Sequence, residues 1–397
     1  MKYLFVNAYS SKNRGDAGIV VGMIYLIKSI DPNAEIQIMS SYWKENTDFY
    51  NQYGVSSVEP VWELEKGQKS YLRYINGLKS VLGVLLNRDN KSIQLYKNAD
   101  VVLSVGGGYL YSSRKGPLGI GLLNSLFHIW VATKKKKKVL AFPQSVGPID
   151  NKIDKFIVKK VLKKLDIFIS REEISTKFLK EIGLGNLVEI ADIGFTLPGK
   201  EVVYPKITKE SGMKIGLTLL DWRFSKKGIG DREIEVYVSK VAEICNRISS
   251  KNKNCTYYIF PQVTVGEGDT DYEVSQKLLR KIKSKNAIIV DLDGFSNKPE
   301  ELVYLYGKMN LFIGSRMHST IFALAGGTPT IALAYQPKTK GTFKKLGLEE
   351  YVYDVNNFSI DEIYKSIEEI IESGNYPIEK VTQEIEQIKI GLKGKLI

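Results

Sequence analysis

The feature that most constrains this chain is the alternation of short apolar, β-prone runs with longer helical patterns. Parallel strands joined by crossover helices are buried on both faces, so they read as near-continuous apolar runs. Lys2–Asn7, Glu35–Ser40, Val101–Val105, Val139–Phe142 and Asp166–Ser170 are runs of this kind. A helix is expected from about Ala17, and another from Arg171. A second series starts at Lys214–Leu219 and continues through Thr256–Phe260, Ala287–Asp291, Leu311–Gly314 and Thr330–Ala334. Between the two series, Pro198, Gly199 and Pro205 mark a linker near Leu197–Pro205.

Two short matches tie the series together. Phe142-Pro143-Gln144 ends one predicted strand and Phe260-Pro261-Gln262 ends another. Ile167-Phe168-Ile169-Ser170-Arg171 is answered by Leu311-Phe312-Ile313-Gly314-Ser315-Arg316. A chain of 397 residues also exceeds what one hydrophobic core usually supports. The expected fold class is therefore α/β, with two Rossmann-like domains, 1–197 and 206–397, facing a central cleft. Open α/β sheets bind ligands beyond the carboxyl ends of their strands. On this reading Arg171 from one half and Arg316 from the other meet in one cleft.

Charge narrows the partners. The formal net charge is +13, which suits nucleic acid, an anionic membrane surface or an anionic substrate. The basic residues are spread along the chain and no recognised nucleic-acid module is visible, so nucleic acid is not expected. The Lys134–Lys138 run has two readings. It complements the negative end of a preceding helix, or it makes peripheral contact with anionic lipid head groups. Cys245 and Cys255 are the only cysteines and form no disulfide or metal framework, which points to a reducing, cytoplasmic setting. The β-rich start Met1–Asn7 does not read as a signal peptide. The longest charge-free stretch, Gly116 to Thr133, is too short and interrupted to span a bilayer and is expected to be a buried helix. No metal-ligand cluster is visible.

Chemistry concentrates in Gly314-Ser315-Arg316-Met317-His318-Ser319-Thr320, between an apolar strand and a helix ending at Gly326-Gly327. A helix N-terminus suits phosphate or carboxylate, Arg316 adds a fork of donors, and His318 exchanges protons near neutral pH. The plainer reading is a helix capped by Ser315 or Ser319 with a buried histidine. The other histidine, His128, lies in an apolar helix and is expected to be a satisfied core residue. Arg171 reads either as a ligand-binding partner of Arg316 or as a surface arginine paired with a first-turn glutamate. Gly106-Gly107-Gly108 follows a strand directly, allowing either close ligand approach or a sharp turn. It is not the dinucleotide fingerprint, because Leu110 and Tyr111 break that pattern. Asn13-Arg14-Gly15-Asp16 reads as a helix cap or an acceptor contact, with Asp16 the carboxylate best placed to take a hydroxyl proton. Lys338 and Lys340 are expected in the loop after Thr330–Ala334.

Taken in order, Asn13-x-Gly15-Asp16, Gly106-Gly107-Gly108, Pro143-Gln144-Ser145-x-Gly147-Pro148, Ser170-Arg171-Glu172, Ala191-Asp192-x-Gly194-Phe195 and Ser315-Arg316-Met317-His318-Ser319 resemble the polysaccharide pyruvyl transferase family. The resemblance implies a GT-B-like fold and a phosphoenolpyruvate donor. It also implies transfer to a sugar of a cell-surface glycan, often lipid-linked, to form a cyclic pyruvate ketal. Catalytic or donor-binding roles then fall to His318, Arg316, Arg171 and Lys338. Ser315, Ser319, the three glycines, Gln144, Asn13 and Asp16 are expected to bind substrate, with no metal or organic cofactor. Two other functions compete: a GT-B glycosyltransferase using a nucleotide sugar, and a non-catalytic basic glycan-binding module. Ser41 to Asn98 matches nothing assignable, so the acceptor sugar is left open.

Overall fold

The computed structural model describes residues 1–64, 67–113, 116–208, 211–223, 230–266, 269–292 and 298–396. They form two compact units. The first comprises Met1–Ser11, Ile19–Ile193 and Gly391–Ile397, and the second Lys12–Gly18 and Gly194–Ile390. Relative to domains of 1–197 and 206–397, a short segment from each end of the chain belongs to the other unit.

The first unit is built on strands β1 (Lys2–Val6), β2 (Glu35–Met39), β3 (Ser56–Val58), β4 (Val101–Ser104), β5 (Gly107–Leu110), β6 (Lys138–Val146), β7 (Ile167–Ser170) and β8 (Leu187–Glu189). They run in the order β3-β2-β1-β4-β6-β7-β8, with β5 alongside β6, and every pairing is parallel. All four residues of β4 are buried, as a parallel strand covered on both faces requires. The charge-free stretch is largely the helix Ile120–Lys134, which buries Leu122, Leu126, Phe127, Ile129, Val131 and Ala132. His128 lies within it, with Nδ1 3.2 Å from the Tyr96 hydroxyl and Nε2 3.3 Å from the Trp62 carbonyl. Burial lowers its pKa to about 4, so it is a neutral core residue.

The second unit contains β9 (Met213–Thr218), β10 (Cys255–Ile259), β11 (Thr264–Gly266), β12 (Asp269–Thr270), β13 (Ala287–Ile289), β14 (Leu311–Gly314), β15 (Thr330–Ala334) and β16 (Val352–Asp354). Its main sheet has the order β13-β10-β9-β14-β15-β16, again all parallel. Both sheets thus follow the doubly wound pattern in which strand order reverses beside the first strand. β11 and β12 form a separate antiparallel ribbon.

The short sequence matches do not follow this shared topology. Phe142-Pro143-Gln144 lies inside β6, two places from β1, whereas Phe260-Pro261-Gln262 follows β10, immediately beside β9. Arg171 follows β7, third from the first strand of its sheet, whereas Arg316 follows β14, next to the first strand of its own. The repeat is one of architecture, and the two arginines are not equivalent positions in it.

Candidate active site

In the second unit the site is assembled around the turn from β14 into the helix Met317–Ala325. The turn is tight: a Cβ on Gly314 would lie 2.6 Å from Thr320 Cγ2. Arg316 is the residue before the helix, where the first N–H groups have no intrahelical partners. Its Nη2 donates to Asp271 Oδ1 at 2.6 Å, and its Nε lies 3.1 and 3.2 Å from the two carboxylate oxygens. Asp271 is fully buried and is pinned at the end of the β11–β12 ribbon, where it accepts from the Val263 N–H at 3.0 Å. The Arg316 side chain keeps 15% of its surface exposed. Asp271 therefore orients the guanidinium while part of it still faces outward.

Ser315 and Ser319 serve the scaffold. Both are buried. Ser315 Oγ lies 2.5 Å from the Tyr237 hydroxyl, and Ser319 Oγ lies 2.6 Å from Thr218 Oγ1 and donates to the Arg316 carbonyl at 2.6 Å. Burial raises the Tyr237 phenol well above its ordinary value, with Ser315 pulling the other way, so Tyr237 stays neutral.

The start of the helix Arg14–Ile30 completes this unit. Asn13 Oδ1 accepts from the N–H groups of Gly15 at 3.1 Å and Asp16 at 3.4 Å. This is the cap reading of the motif, and it starts the helix three residues earlier than Ala17. Asn13 also bridges to Val263. Arg14 is buried and its Nη1 donates to Thr264 Oγ1 at 3.2 Å. Gly15 lies directly against His318: a Cβ there would fall 2.5 Å from Nδ1 and 2.8 Å from the histidine Cβ. His318 is half-buried, and Asp16 stands in the same helical turn. Lys338 and Lys340 lie in the helix Pro337–Lys345 and not in a loop, because Pro337 opens a helix readily at its first position. Thr342 of that helix places Oγ1 3.9 Å from Met317 Sδ, bringing the helix alongside Met317–Ala325.

The remaining predicted residues belong to the first unit. Arg171 is buried, not a surface residue paired with a first-turn glutamate. Its Nη1 lies 2.5 Å from Asp192 Oδ2 and its Nε donates to Ser145 Oγ at 2.6 Å. The following helix starts at Glu173 and is capped by Glu172, whose carboxylate accepts from the Ile174 N–H at 2.8 Å. Gly106 is required by close packing, since a Cβ would sit 2.8 Å from the Pro143 carbonyl oxygen. Gly107 has φ of 126° and pairs with Gln144, and Gly108 continues β5. The Gln144 side chain is fully buried, with neither amide atom hydrogen-bonded. Sequence reasoning missed Asp192, Asp271, Arg14 and Tyr237. Asp192 and Arg14 lay in quoted motifs, which gave them no role of their own. Among the described residues no group of His, Cys, Asp and Glu is arranged to hold a metal ion. Both cysteines are buried, and burial pushes the Cys255 thiol up to about 11 and Cys245 higher, so neither is a nucleophile at neutral pH.

The two doubly wound sheets give the chain a GT-B-like fold. HepE from Anabaena, solved in complex with UDP and glucose, aligns over 100% of this chain and 99% of its own with a TM-score of 0.59 and 13% identity. A UDP-GlcNAc 2-epimerase from Neisseria meningitidis, solved bound to UDP-GlcNAc, aligns over 96% and 94% with a TM-score of 0.58 and 12% identity. Within that fold class, residues 13–337 match the polysaccharide pyruvyl transferase family, and the chain belongs to it. The amylovoran biosynthesis protein AmsJ of Erwinia amylovora is 24% identical over 418 aligned positions, covering 98% of this chain and 97% of AmsJ.

Proposed function

We propose that this chain transfers the pyruvyl group of phosphoenolpyruvate to a sugar of a cell-surface polysaccharide or its lipid-linked precursor, forming a cyclic ketal and releasing phosphate. The observation that carries this reading is the constellation at the start of Met317–Ala325: an oriented arginine and an imidazole beside helix-terminal N–H groups. A donor with both a carboxylate and a phosphate calls for cationic and N–H groups of this kind.

In this reading Arg316 and Lys338 hold the two anionic groups of the donor. His318 delivers a proton to the methylene carbon, which becomes the methyl group. The adjacent carbon becomes electron-poor and one sugar hydroxyl adds to it, losing its proton. The carbon–oxygen bond to phosphate then breaks and a second hydroxyl closes the ring. Asp16, in the helical turn against His318, is the candidate to accept a hydroxyl proton. Gln144, with an unsatisfied buried amide that costs about 1–3 kcal/mol if left so, is the candidate to meet an acceptor hydroxyl. Phosphoenolpyruvate is a co-substrate, and these steps call on no metal or organic cofactor.

The test is incubation with phosphoenolpyruvate and candidate lipid-linked or nucleoside-diphosphate sugars, read by mass spectrometry and phosphate release. The expected product gains one pyruvate less one water, with phosphate released only when acceptor is present. His318→Ala is expected to lower turnover by about 10²-fold or more, the usual scale for one positioned acid–base group. Turnover within about threefold of wild type would remove the imidazole from this role. A product formed from a nucleotide sugar without phosphoenolpyruvate would favour glycosyl transfer instead.

A further inference from the structure

The helix Ser70–Leu85 in the first unit has two apolar faces and needs only one for packing. Its inner face is seated on Trp62, so closely that a Cβ on Gly77 would lie 2.4 Å from the indole, and Ser80 Oγ donates to the Val61 carbonyl at 3.1 Å. Gly77 and Val84 are buried on that side. The outer face carries Tyr71, Ile75, Leu78, Leu82 and Leu85 at the spacing of one helical stripe, all exposed, with Leu86 continuing it. Leu78 is 61% and Leu86 65% exposed. Tyr74 Oη donates to the Leu118 carbonyl at 2.9 Å, which adds the exposed Leu118 to the same patch.

The charge carried along this helix has one sign. From Gln68 to Arg88 the chain carries Lys69, Arg73, Lys79 and Arg88 and no carboxylate. Lys135 Nζ donates to Asn87 Oδ1 at 3.1 Å, bringing the Lys134–Lys138 run to the C-terminal end of the stripe. Lys134, Lys136 and Lys138 are exposed there. The next carboxylate along the chain, Asp89, is ion-paired with Lys97.

We propose that this face docks in the plane of an anionic lipid bilayer. The leucines and tyrosines enter the head-group boundary while the flanking cations meet lipid phosphates. An amphipathic helix with apolar residues on one side and cations at its margins is built for that position. A second copy of the chain is a poorer occupant. A twofold pairing buries the same patch on both copies, and this face would then bring cations together with no carboxylate in the segment to answer them. The proposal rests on surface chemistry alone and holds whichever donor the active site uses.

The test is co-sedimentation of the full chain with vesicles of phosphatidylglycerol and phosphatidylcholine, against vesicles of phosphatidylcholine only. Preferential binding to the anionic vesicles is expected, weakening as salt is raised. Lys134→Gln/Lys136→Gln/Lys138→Gln should lower partitioning by about 100-fold, since each cation near such a surface contributes roughly fivefold. Leu78→Glu/Leu82→Glu should lower it at least about tenfold, with thermal melting unchanged because both positions are exposed. Equal sedimentation with both vesicle types, or with neither, would overturn the proposal. So would a lipid-free wild-type dimer in sedimentation velocity that the double leucine variant converts to monomer.

Discussion

Arg171 and Arg316 each meet a carboxylate distant in sequence, and the two pairs differ in how much water they keep. The Arg171–Asp192 pair is 4% and 1% exposed, whereas Arg316 retains an outward surface beside its buried Asp271. Removing one partner of a buried pair strands the other charge, at about 3–5 kcal/mol. Asp192→Ala is therefore expected to lower unfolding stability by that order, read as a fall in the denaturant midpoint, and Arg171→Met by a similar amount, because it leaves the Asp192 carboxylate buried without this cation. The arginines were legible in the sequence, because each follows an apolar run and precedes a helix. Their carboxylates were not. Ion-pair partners 21 and 45 residues away depend on which strands become neighbours, and residue spacing does not encode that.

Among the elements, the helix Arg14–Ile30 has its most consequential residue in its first turn. Gly15 leaves the space that the His318 imidazole occupies. Alanine suits a helix better than glycine, so Gly15→Ala favours the helix locally while forcing His318 out of place. We expect turnover to fall by about 100-fold, the scale of a displacement of about 1 Å at a reacting group, with far-ultraviolet circular dichroism unchanged. Wild-type turnover in that variant would show that the position of His318 is not critical. The sequence reading began this helix at Ala17 because it followed the apolar periodicity, whereas the Asn13 cap and the contact with His318 extend the helix back to Arg14. Strands were easier to read. Parallel strands such as β4 and β14 are buried along their whole length and so appear as unbroken apolar runs.

For the molecule as a whole, both doubly wound sheets were foreseeable from the alternation of strands and helices. The three-residue matches were a poor guide to how the halves correspond, because one tripeptide lies inside β6 and its counterpart follows β10, a strand of different rank. One stability effect is also global. The folded chain holds His128 neutral down to about pH 4, while the unfolded chain protonates it near 6.5. Its contribution is intact above pH 6.5 and is lost as pH falls from there towards 4, by up to about 3 kcal/mol. His128→Gln should flatten the pH dependence of the denaturant midpoint across that window relative to wild type, and an unchanged slope would contradict the assignment.

The allocation of Lys12–Gly18 to the second unit has a practical consequence for engineering. Chimeras that recombine halves of related enzymes at the linker near Pro205 would carry the second half without the peptide that touches its histidine. They would pair that half with a foreign turn at Asn13, Arg14 and Gly15. Recombining halves of relatives while keeping the surroundings of His318 intact therefore requires a discontinuous graft, in which those seven N-terminal residues travel with the C-terminal half.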